Sequence, residues 1–130
     1  MNKEVGLWID HRKTVLVTLI DETVEITQLS SDMEKRVRYS GEAEDDSGED
    51  HRDKRYMDHL SKYYKEVISR IRNAQSILVM GPGEAKGEFV KQLQDEGYNG
   101  SIVGIETADK MTDRQIAARV KQHFSTAKSL

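Results

Sequence analysis

Ser76-Ile-Leu-Val-Met-Gly-Pro-Gly-Glu-Ala-Lys-Gly-Glu-Phe-Val-Lys-Gln-Leu93 is the stretch whose reading decides the fold. An apolar run from Ile77 to Met80 ends in Gly81-Pro82-Gly83, and a helical pattern follows at once. Ala85, Phe89, Val90 and Leu93 share one face of that helix. Gly81 and Gly83 permit tight backbone geometry, and Pro82 removes a donor from the turn. Glu84 and Glu88 fall in the first turns, where acids complement the helix dipole. The stretch therefore predicts a buried strand, a tight structural turn and a helix packed back on a sheet.

Downstream, Gly97 suits a helix C-cap and Ser101 to Ile105 is a short apolar strand. Thr112-x-x-Gln115 is a capping box that opens a last helix, with Ile116, Ala117, Val120 and Phe124 facing inward. Upstream, Val5 to Ile9 reads as a first strand and Asp10-His-Arg-Lys13 as a turn. Thr14 to Ile20 is apolar on both faces, as a central strand is. After the turn at Asp21-Glu22, Thr23 to Leu29 alternates, with Val24 and Ile26 expected inward and Glu25 and Thr27 outward, as at a sheet edge. A long helix is expected from Asp53 to Asn73, with Met57, Leu60, Tyr64, Val67 and Ile71 as its core stripe. Together these elements predict an α/β fold in one domain over residues 1–130. Its mixed sheet has about five strands, an N-terminal antiparallel meander followed by a parallel βαβα unit, with three helices on its faces.

Hydrophobic residues make up 36% of the 130 and charged residues 33%, enough for a core under a heavily solvated surface. There is no run of about 18 apolar residues to cross a membrane and no secretory pattern at Met1 to Val5, so a cytoplasmic protein is expected. The chain has no cysteine, which excludes disulfides and thiol chemistry. A net charge of −3 hides two opposed blocks. Ser31 to Asp50 holds eight acids and three bases, whereas His51 to Asn73 holds seven bases and three acids. The first block falls in a loop expected to be flexible over about 31–52, whose acids include Glu42, Glu44, Asp45, Asp46, Glu49 and Asp50. Their spacing lacks the calcium-loop pattern, so no metal site is assigned. His11, His51, His59 and His123 show no metal-binding pair, and no serine sits in a nucleophile elbow. No cofactor is implied.

In the second block, Arg55, Lys62, Lys65 and Arg72 recur on one side of the long helix. A solvated helix face gives this pattern, and so does a surface that lies along a phosphate backbone. Tyr56 and Tyr63 flank that side and are expected to stack on bases, with Lys86 and Arg12 peripheral. The turn at Gly81 matches neither the Walker pattern nor the dinucleotide fingerprint.

Ile77-Leu-Val-Met-Gly-Pro-Gly-Glu-Ala-Lys-Gly-Glu-Phe89 resembles the strand-turn-helix in the middle domain of archaeal and eukaryotic peptide-chain release factors and of Pelota. Gly6-Leu-Trp-Ile-Asp10, Val15-Leu-Val-Thr-Leu19, Glu22-Thr-Val-Glu25 and Ser101-Ile-Val-Gly-Ile105 resemble other strands of that domain, in the same order. The resemblance implies its fold over about Val5 to Phe124. It also implies a stand-alone relative, of bacterial type, with a ribosome or tRNA as partner in rescue or stress. In that family the loop before the long helix carries Gly-Gly-Gln, whose Gln promotes peptidyl-tRNA hydrolysis. The matching segment here, Arg38 to Arg52, contains no Gln and no Gly-Gly. Hydrolysis is therefore not expected. Two further readings stand beside a translation-associated module. One is a protein-interaction module, acting through the acidic loop on a basic partner or through an exposed strand edge. The other is a small anion-binding protein or hydrolase using the Gly81 turn.

Overall fold

In the computed structural model, residues 3–21, 23–31 and 48–128 are described; for 48–53 and 126–128 this covers the backbone path alone. The order of elements is β1 (Lys3–Ile9), β2 (Lys13–Ile20), β3 (Thr23–Ser30), α1 (Gly48–Ile71), β4 (Ser76–Gly81), α2 (Ala85–Asp95), β5 (Ser101–Thr107) and α3 (Asp113–Lys128). The five strands form one sheet in the order β3-β2-β1-β4-β5. β1, β2 and β3 are an antiparallel meander, and β4 and β5 continue the sheet parallel to β1. The α/β class, the mixed sheet and the three helices follow the sequence pattern.

Alternation along the strands builds two cores. Val5, Leu7, Ile9, Leu16, Ile77 and Val79 face α1 and α2. Trp8, Val15, Val17, Leu78 and Met80 face Ile116, Ala117, Val120 and Phe124 of α3. A sheet covered on both faces explains the continuous apolar runs in β1 and β4. Gly6 sits where α3 crosses β1, and a side chain there would collide with Val120. α3 opens with the expected capping box: Thr112 N–H donates to Gln115 Oε1 at 2.9 Å, and Gln115 N–H to Thr112 Oγ1 at 3.1 Å.

Three expectations change. α1 begins at Gly48, so Glu49 and Asp50 lie in its first turn and not in a loop. Glu42, Glu44, Asp45 and Asp46 lie outside the described residues. Met57 is 57% exposed and leaves the core stripe to Leu60, Tyr63, Tyr64, Val67, Ile68 and Ile71. Val24 and Ile26 share the α3 side with Val15 and Val17, yet are 38% and 46% exposed. α3 packs over β1 and β2 and meets β3 near its far end, where Gln28 donates to Asp113.

Candidate nucleic-acid interface

α1 has two sides with opposite chemistry. On the outer side Arg55, Lys62 and Lys65 are exposed, and among the described residues they have no ion-pair partner. From Arg55 to Lys65 the helix rises about 15 Å. Arg72, just past the end of α1, is exposed and reaches Glu96 at 3.4 Å. It is thus partly neutralised where the other three are not. Arg12 is exposed at the tip of the β1–β2 hairpin. Lys86 is turned back on its own loop, its ammonium donating to the Gly83 carbonyl at 2.6 Å. The structure therefore groups Arg55, Lys62 and Lys65, and it commits Lys86 elsewhere.

The inner side carries aromatic hydroxyls. Tyr63 is buried, so it is not free to stack on a base. Its hydroxyl lies 2.6 Å from Thr14 Oγ1 and donates to the Asp10 carbonyl at 3.3 Å. Burial raises the Tyr63 phenol well above its ordinary value of 10.0, the Thr14 hydrogen bond opposing and the Asp10 charge assisting. The buried Tyr64 donates to Glu88 Oε1 at 2.7 Å. Its phenol is raised first by burial and then by that carboxylate. The same Glu88 oxygen takes the His11 imidazole at 3.0 Å, and the half-buried Tyr56 hydroxyl stands 3.5 Å from His11 Nδ1. Nε2 is thus held closely by Glu88, and Nδ1 faces Tyr56 at longer range. The imidazole thereby links the hairpin to α1 and α2.

Sequence reasoning placed Glu88 at the helix dipole and missed this bridge, because nothing in local spacing pairs residues from a hairpin, α1 and α2. Two further contacts tighten it. His59 Nε2–H donates to the Ser31 carbonyl at 2.6 Å, the carbonyl fixing the tautomer. The Ser31 hydroxyl donates to the His11 carbonyl at 2.7 Å. The hairpin itself is held by Asp10 Oδ1, which accepts the Arg12 and Lys13 N–H groups at 2.8 Å each.

The turn at Gly81 is closed. A side chain at Gly81 would collide with the Ile9 carbonyl oxygen, and the Gly81 carbonyl accepts Ala108 N–H at 2.9 Å. The carboxyl ends of the three parallel strands are therefore knit together, where open α/β sheets hold their ligands. Gly83, by contrast, has nothing within 4 Å of an added side chain. Glu84 makes no side-chain cap on α2. A groove of about 480 Å³ lies between α1 and α2, lined by Met57, Leu60, Tyr64, Lys65, Lys91 and Gln92 among others. Among the described residues no group of three or more histidines or acids could hold a metal ion, and no helix is long and apolar enough to cross a membrane.

No protein-family model matches the chain, and no curated protein does either. Solved structures do. The Thermoplasma acidophilum Pelota protein superposes with a TM-score of 0.57 at 15% identity, over 96% of this chain and 32% of its own. An archaeal translation termination factor gives 0.55 at 13% identity, over 98% of this chain and 40% of its own. Archaeoglobus fulgidus Pelota gives 0.53 at 16% identity, over 97% and 34%. The fold is Pelota-like and release-factor-like. The chain spans 32% to 40% of the length of those proteins.

Proposed function

We propose that this chain is a translation-associated binding module of the release-factor middle-domain type, which contacts ribosomal RNA or tRNA through the outer side of α1. The observation that carries the reading is the set of exposed cations Arg55, Lys62 and Lys65, without an ion-pair partner among the described residues and interrupted by Asp58 and, before Arg72, by Ser69, on the first helix of a fold shared with a translation termination factor. Lysine and arginine along a helix neutralise successive phosphates and release counterions, so the contact weakens with salt. Arg72 and Arg12 extend the surface and Lys86 contributes least, since its ammonium is held by Gly83. Peptidyl-tRNA hydrolysis is left out of the reading, because Arg38 to Arg52 contains no Gln.

The test is sedimentation of a low-salt lysate through sucrose, with and without RNase. The protein is expected to travel with ribosomal particles and to leave them after RNase or in high salt. Arg55→Glu with Lys62→Glu and Lys65→Glu is expected to abolish co-sedimentation. It should also lower the salt slope of binding to purified RNA by about 0.7 for each lost contact. Recovery of the wild-type protein only at the top of the gradient would sink the reading. Unchanged RNA binding by the triple variant would remove α1 from it.

A further inference from the structure

The sheet has two edges, β3 and β5, and they are finished differently. β5 shifts register against β4 between Ile77 and Leu78, and an irregularity of this kind bends an edge away from further pairing. Its acid Glu106 is already held by Arg119 through two 2.7 Å bonds. β3 follows β2 without a shift over all eight residues from Thr23 to Ser30, so its outer edge is long and regular. Natural sheets normally blunt such an edge with a bulge, a proline or a lysine. None of these occurs in β3.

On the α3 side of that edge Val24 and Ile26 stand exposed. On the opposite side Glu25 is exposed and, among the described residues, has no ion-pair partner. Asp21 and Glu22 precede it, and no Lys or Arg occurs from Asp21 to Ser30. Among the described residues, the edge from Thr23 to Leu29 therefore offers backbone hydrogen bonds, an apolar pair on one face and, at Glu25, a negative charge without an ion-pair partner on the other. A second copy of β3 fits poorly in the register that pairs its two exposed apolar residues with each other. The antiparallel register that sets Val24 of one copy opposite Ile26 of the other also sets the two Glu25 carboxylates opposite each other. Like charges directly across a ladder are destabilising.

We propose that the outer edge of β3 is a docking strand for an extended basic segment of another protein. That segment adds a sixth strand to the sheet, lays apolar side chains on Val24 and Ile26, and sets a Lys or Arg beside Glu25. Main-chain pairing supplies the affinity, and the alternating side chains supply the choice of partner.

The experiment uses the full chain and two labelled ten-residue peptides, one alternating valine and lysine and the other valine and glutamate. Fluorescence anisotropy reads the affinities, and amide chemical shifts locate the binding. The wild-type protein is expected to prefer the lysine peptide, with shifts concentrated in residues 23–30. Glu25→Lys, an exposed change that leaves the fold intact by circular dichroism, is expected to weaken the lysine peptide about five- to tenfold and to strengthen the glutamate peptide. A preference that Glu25→Lys does not move would overturn the proposal. So would shifts confined to α1 or to the acidic stretch before it. A concentration-dependent doubling of mass that Ile26→Lys abolishes would show that a second copy fills the edge, and would overturn it equally.

Discussion

The two sides of α1 are built from the same alphabet of long polar side chains and behave as opposites. On the inner side, Tyr63 and Tyr64 spend their hydroxyls on Thr14, Asp10 and Glu88, and the helix is fixed to the hairpin and to α2. On the outer side, Arg55, Lys62 and Lys65 spend their charges on nothing within the described residues. The inner polar groups hold the structure together because they are out of water, where an unmade hydrogen bond is costly. The outer ones stand in water, which already satisfies them. Burial, and not residue type, separates the groups that hold the fold from those left to solvent here.

Removing an inner anchor tests that contrast most severely. Tyr64→Ala deletes a buried ring that packs edge-on against Phe89, and strips a donor from Glu88. It is expected to cost about 3–4 kcal/mol, read as a fall in the urea midpoint. A loss below about 1 kcal/mol would show that the inner side is not the anchor.

The phenols provide a second break through pH. Their folded pKa values are raised above 10.0, so the folded state keeps protons that the unfolded chain gives up. This stability is fully present below pH 10 and is lost as pH rises above it towards the folded values. The melting temperature is expected to hold between pH 8 and about 9.5, then to fall steeply. Tyr63→Phe should flatten that fall. At neutral pH it should cost about 1–2 kcal/mol, because Thr14, fully buried, loses its partner. An alkaline limb equally steep in both proteins would exclude Tyr63 as a cause.

The smallest expected effect completes the comparison. Each single reversal among Arg55, Lys62 and Lys65 should change stability by no more than about 0.5 kcal/mol, as for surface sites without special contacts. The same changes carry the loss of RNA binding described above. A reversal that unfolds the protein would mean that the outer side is structural after all.

Much of this was legible before any coordinates. The strand-turn-helix at Ser76 to Leu93 announced β4 and α2, and the Thr112–Gln115 box announced α3, because both rest on local chemistry. The pattern also put Val24 and Ile26 on the correct side of β3. It could not show that α3 packs over β1 and β2, leaving β3 largely uncovered on that side, since periodicity assigns a face and not the extent of the element that covers it. Met57 failed for the same reason: it lines the mouth of a groove in place of a core. At the candidate interface the cations could be read as a stripe. Tyr63, adjacent in sequence, could not be read as buried, because its partners Thr14 and Asp10 lie about fifty positions away.

The strand order β3-β2-β1-β4-β5 also sets a timetable. β1 is the centre of the sheet, yet its two neighbours arrive by different routes. β2 follows across a short hairpin, whereas β4 starts only at Ser76. At a synthesis rate of about 5–20 residues per second, several seconds separate the meander from the strand that closes its open side. During that interval Val5, Leu7 and Ile9 present a bare backbone edge. The pairing of β4 with β1 therefore spans the longest separation along the chain of any strand pair in this sheet, and Gly81 fits against Ile9 just beyond it.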